Sequence, residues 1–197
     1  MLKKIAIATL LSANLMAMHN LELNINDVDL EAGLKLDMGQ FNDAVEPDTT
    51  FIGVKYLKPD SDYSDYSSPN AYTEVSFLMQ RRVSDTDLYA GMGVKINYIN
   101  NDNSDEDFSS IPLSFKLGYN LPTSLPVNFY GEIFYAPKVL SLLDAKGYYE
   151  YRVGVDVELI ENANIYVGFR DLETKYESND KYIKYNRSAY FGFRFEF

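Results

Sequence analysis

From Leu21 to its last residue the chain alternates. "VDLEAGLKLDM" puts Val28, Leu30, Ala32, Leu34, Leu36 and Met38 on one side and Asp29, Glu31, Gly33, Lys35 and Asp37 on the other. "LYAGMGVKINYI", "IPLSFKLGY", "YYEYRVGVDVEL" and the closing "AYFGFRFEF" follow the same rule. Period two is the mark of a β-strand whose faces meet different surroundings. Helical spacing is missing from nearly all of the chain after residue 20. The exception, "VLSLLDA" at Val139–Ala145, has room for one turn and is read as loop structure. The chain is therefore expected to be all-β.

Alternation does not say which face is inside. In a soluble barrel the apolar row is core, and in a membrane barrel it meets lipid. The connections help to decide. Those at 58–70, 100–110, 136–147 and 173–184 are long, and those at 82–87, 120–126 and 160–164 are short. Outer-membrane barrels keep short periplasmic turns and longer extracellular loops. The link "GQFNDAVEPDTT" breaks this order, being long where a short turn is due. An even strand count then makes Leu21–Asn26 and Val28–Met38 separate strands, which predicts an antiparallel transmembrane barrel of about ten strands. Eight is the alternative, with the first segment merged. Most runs approach the roughly 9–11 residues that a tilted strand needs to cross a bilayer.

Charge supports the same orientation. Opposite the apolar rows stand Glu31, Lys35, Glu74, Arg82, Lys95, Lys116, Glu132, Glu150, Arg152, Asp156, Arg170, Arg194 and Glu196. The short Phe51 run is credited with no such charge, and Leu78 falls outside the pattern of its segment. The set is nearly balanced in sign although the whole chain carries −11. Buried charges persist when paired and hydrogen-bonded, so these residues are expected to form a network filling the lumen. Gly91, Gly93, Gly118, Gly154, Gly168 and Gly192 share that face, where small residues beside long ones suit a crowded interior.

The start of the chain bears on its compartment. Lys3 and Lys4 precede the apolar stretch "IAIATLLSANL", and "LMA" closes it. This reads as a secretory signal peptide, residues 1–17, cleaved after Ala17. The barrel domain would then be 18–197, with a net charge of −13 once Lys3 and Lys4 are gone. Such acidity disfavours nucleic acid, whose phosphates need a basic patch. No Cys is present, so thiol chemistry is absent. His19 is the one histidine, outside the strands, which leaves no base for a Ser–His site. No catalytic residue, metal or cofactor is assigned. "DSDYSD" at 60–65 lacks the Gly and distal Glu of a calcium loop and is read as a solvated acidic loop.

The segments "NFYGEIFYAP" (Asn128–Pro137), "YYEYRVGVDVELIENANIYVGFRDLET" (Tyr148–Thr174) and "YFGFRFEF", with "MHNLELNIN" at the front, resemble the YfaZ family of bacterial outer-membrane proteins. That resemblance implies an exported β-barrel in a Gram-negative outer membrane and no established activity. A last strand of alternating apolar residues ending in Phe resembles outer-membrane proteins generally. There Phe193, Phe195 and Phe197 would be the signal to the barrel assembly machinery. Lipid and lipopolysaccharide are the expected surroundings. The expected role is a small structural barrel or narrow pore, or else surface binding through the acidic, Tyr-rich loops.

Overall fold

The structure, a computed structural model, describes residues 19–66, 69–99, 107–123, 125–178 and 181–197. The expected signal peptide and its cleavage after Ala17 lie outside the described residues, as does the acidic run at 100–106. The strands are β1 (Asn20–Ile25), β2 (Leu30–Asp37), β3 (Thr50–Lys58), β4 (Tyr72–Arg82), β5 (Leu88–Ile99), β6 (Phe108–Ser110), β7 (Leu113–Leu121), β8 (Val127–Ala136), β9 (Ser141–Leu143), β10 (Ala145–Ile160), β11 (Ala163–Tyr176) and β12 (Ile183–Glu196). Every pairing is antiparallel. β1 pairs with both β2 and β12, and β4 with β5, so the sheet closes on itself. The wall is ten strands, with β6 and β9 outside it. Closure gives every wall strand a neighbour on each side, the condition hydrocarbon imposes on a spanning sheet, although β1 covers only Phe191–Glu196 of β12.

The N-terminal segment is not merged. Leu21 pairs with Phe195 on one side and Leu34 on the other. Backbone bonds between His19 and Phe197 run both ways, at 2.7 and 3.0 Å, and extend the seam by one residue. The end of the barrel holding Phe197 also holds the short connections from β4 to β5, β7 to β8 and β10 to β11, and we call it the periplasmic end. Asn162 takes φ 67° there, a left-handed conformation that Asn tolerates in a tight turn. The long link at 38–49 stays on this end. Asp37 holds it, accepting from Gly39 N at 2.9 Å and Asp48 N at 2.8 Å.

The apolar rows face outward. Val153, Val167, Ile133, Met92, Leu113, Phe191, Phe193 and Phe195 are all exposed. The inward face is polar and buried through most of its height, with Glu31, Lys95, Asn97, Glu150 and Arg170 almost inaccessible. "VLSLLDA" becomes a short 3-10 turn, Lys138–Leu140, followed by β9, which pairs with β6 across the extracellular mouth. The β10–β12 strands run further outward than their alternation suggests, reaching Ala145, Tyr176 and Ile183.

Candidate functional site

The lumen is built in three levels. The uppermost is an apolar core. Leu57, Tyr72, Ile99, Phe108, Phe134, Ala136, Ala145, Tyr148, Leu172, Tyr176 and Tyr185 form one buried cluster, roofed in part by Tyr66, Leu140 and Ile183. Phe108 arrives from β6, whose pairing with β5 and β9 folds two extracellular connections over the barrel. Tyr66 arrives from the 59–71 loop and bonds Thr174 at 2.8 Å. That loop is fastened at further points: Asp60 N donates to Asp29, Tyr63 to Asp27, and Lys184 pairs with Asp65 at 3.1 Å.

Beneath the aromatic level lies a charge lock. Lys95 on β5 contacts Glu74 on β4 at 2.8 Å and also Glu150 on β10. Arg152 reaches the same two acids, at 2.8 Å to Glu74 and more closely to Glu150. Tyr72 and Tyr148 hydroxyls donate to Glu74 and Glu150 respectively, each at 2.6 Å. The Lys95 ammonium also stands 3.8 Å above the Phe134 ring centre. Two acids and two bases are thus satisfied together, the condition under which ionised groups survive burial. A second group joins Arg170 to Glu31 and Asp29, with Asn186 accepting from Arg170 at 2.8 Å. Lys55 bridges Glu31 at 3.1 Å and Glu22 at 3.7 Å.

The lowest level is open. A cavity of about 790 Å³ is bounded above by Glu74, Phe134 and Arg152 and below by Glu46, Asp48, Arg81, Arg82 and Glu196 at the periplasmic rim. Arg194 crosses it, bonding Glu22 at 3.0 Å and Asp156 at 3.4 Å. Lys35 stands 3.9 Å from Glu22. Lys116 donates to Gln80 at 3.2 Å, and Asn164 to Glu196 at 3.2 Å.

Of the residues expected in the lumen, the structure joins Glu31, Glu74, Lys95, Glu150, Arg152 and Arg170 into the buried groups. It puts Lys35, Asp156 and Arg194 in contact around Glu22. Lys116, Glu132 and Glu196 line the cavity without an ion pair to any described residue. Arg82 departs from the expectation: it lies exposed at the rim, because its position ends β4 where the wall meets water. Phe193 and Phe195 face outward, and Phe197 lies beyond the last strand against His19.

Sequence reasoning missed Glu22, Asp29 and Lys55. Glu22 sits plainly opposite Leu21 and Leu23. Lys55 was hidden because its inward row, Phe51, Gly53, Lys55 and Leu57, is as apolar as the outward one. Leu78, which broke the expected pattern, faces inward with Ser76 and Gln80 and is buried. The inward glycines make room for long neighbours, which here are tyrosines as well as charged side chains. Gly118, Gly154, Gly168 and Gly192 are covered by tyrosines, where an added Cβ would fall 2.0 Å from Tyr89, 2.6 Å from Tyr130, 2.5 Å from Tyr190 and 2.3 Å from Tyr166.

No curated protein matches the chain. Among solved structures it is similar to the outer membrane channel DcaP of Acinetobacter baumannii, at 10% identity and a TM-score of 0.42. The match covers 89% of this chain and 54% of that one, so the chain spans about half the length of that channel. The family model described as YfaZ precursor matches residues 2–197. With an apolar belt outside, paired charges inside and that match over nearly its whole length, the chain belongs to the YfaZ family of outer-membrane β-barrels.

Proposed function

We propose that this protein is a small outer-membrane barrel closed to through-flow, a structural element of the membrane rather than a constitutive pore. The observation that carries this reading is the filled cross-section above the cavity. Tyr72, Lys95, Tyr148 and Glu150 are each no more than 1% exposed, and they occupy the barrel between the cavity and the extracellular mouth. Barrels of about eight strands have interiors that side chains fill, and ten strands widen this by about a quarter, a space that these buried side chains occupy above the cavity. Tyr66 supports the structural reading over surface binding, since it packs into the roof instead of presenting its ring to a partner. Lipid and lipopolysaccharide surround the belt in this reading. The outward Phe193 and Phe195, with Phe197, address the assembly machinery. His19 stacks on Phe41 at 5.0 Å at the periplasmic rim, so no catalytic role is given to it.

Planar-bilayer recording of the purified, folded protein tests the proposal. The expected trace stays at the lipid baseline at neutral pH. Steady unitary current steps from the unaltered protein would overturn it.

A further inference from the structure

The cavity at the periplasmic end has the size of a small-molecule pocket: about 790 Å³ against the roughly 300–1,000 Å³ usual for such sites. It is closed above and open below. Its lining carries as many acidic as basic side chains, so it offers no net attraction to an ion of either sign. Two of those charges are conspicuous. Lys116 on β7 and Glu132 on β8 are directly opposed in register, and both side chains line the cavity. Glu22 and Arg194, opposed in register on β1 and β12, close to 3.0 Å, whereas Lys55 and Glu74 are opposed without closing and turn to other partners. Among the described residues Lys116 and Glu132 make no ion pair, with each other or with anything else. Lys116 donates to the Gln80 amide oxygen at 3.2 Å and lies 5.4 and 5.9 Å from the Tyr89 and Tyr130 rings, with Glu132 as its foremost opposite charge, and Glu132 is flanked on its other side by Arg152 of β10. Both residues are half-buried. A cation and an anion left apart on a partly desolvated wall cost free energy, which a molecule carrying both signs recovers.

We propose that this cavity is a binding site, entered from the periplasmic end, for a small zwitterion of the amino-acid or short-peptide class. The ligand carboxylate docks on Lys116 and the ligand ammonium on Glu132. The lock of Glu74 and Arg152 forms the closed end, so the ligand leaves by the way it entered.

Calorimetric titration of the barrel folded in detergent micelles tests this, with glycylglycine as the probe. Acetate, ethylamine and maltose supply one sign, the other sign and none. The dipeptide should bind saturably, and each control about tenfold more weakly or not at all. Lys116→Gln and Glu132→Gln should each weaken the dipeptide about tenfold. The double exchange Lys116→Glu with Glu132→Lys keeps both signs in the cavity, and should restore affinity to within about threefold with the ligand reversed. Heat-shifted gel migration establishes that each variant is folded. Absence of saturable binding, maltose binding as well as the dipeptide, or variants with unchanged affinity would each overturn the proposal. The measurement is independent of conductance: a barrel that conducts and binds the dipeptide sinks only the sealed-barrel reading, and a silent barrel that fails to bind sinks only this one.

Discussion

Tyr130 lies across Gly154 and Tyr190 across Gly168, each pair directly opposed on neighbouring strands. An inward glycine would ordinarily weaken a strand. Here the neighbouring ring covers the bare backbone, the cross-strand device that compensates for glycine in sheets. Gly154→Val should therefore block folding by collision with Tyr130, seen as loss of the heat-modifiable band. Adding Tyr130→Ala to the same chain should restore the band in part, because the obstacle is one ring. A valine tolerated without the second change would show that the ring is free to move aside. Charge at the residue scale obeys a different rule. Lys95 is the cation shared by Glu74 and Glu150. Lys95→Met removes it and leaves two buried carboxylates with Arg152 alone. The expected loss is about 3–5 kcal/mol of stability, read from urea unfolding in vesicles. A loss below about 1 kcal/mol would mean that water already reaches the pair.

Each strand faces lipid on one side only, and its substitutions should divide accordingly. Val153 is outward and 46% exposed near mid-strand on β10, and Leu159 is outward and 56% exposed near the periplasmic end. Val153→Arg should cost about 2–4 kcal/mol and Leu159→Arg about 0–1 kcal/mol, because the penalty falls from the bilayer midplane to its edge. Equal costs in the same urea measurement would contradict the assignment of the belt. The wall strands were largely legible in the sequence because one face is apolar wherever lipid lies outside. Legibility ended where that condition ended. Beyond Leu172 the outward residues of β11 become Glu173 and Lys175, while Thr174 and Tyr176 are buried inside. The pattern inverts, since above the membrane water lies outside and an aromatic core within. A register shift at Leu172/Glu173 disguises it further. The charge lock was legible as a set of residues, but its partition was not. Which carboxylate meets Lys95 depends on barrel closure, which brings β4, β5 and β10 to one height. Alternation along a single strand carries no information about that.

At the scale of the whole molecule the two ends are unequal. The extracellular end is filled at two levels among the described residues, by aromatic packing and by the charge lock, and is roofed by loops that bond one another: the Asp144 carboxylate accepts from Asp107 N at 3.0 Å, and its carbonyl oxygen accepts from Glu177 N at 3.0 Å. The periplasmic end has only a rim, where Arg81 and Glu46 meet at 3.9 Å with both side chains largely exposed, a contact too solvated to hold anything closed. Solute should therefore reach the lumen from one side. The absence of native cysteine makes this measurable, because one introduced thiol is the sole reactive site. Ser76 lines the cavity from inside β4, below the lock. In intact cells, Ser76→Cys should resist a charged maleimide that cannot cross the outer membrane, while Ser61→Cys in the extracellular loop reacts. When the reagent is admitted to the periplasm, Ser76→Cys should react as well. Labelling of Ser76→Cys from outside, at a rate near that of Ser61→Cys, would mean that a water path runs through Lys95 and Tyr148. Adding Phe134→Ala, which removes the ring beneath Lys95 and part of the cavity ceiling, should raise that outside rate if the seal is where the buried side chains put it.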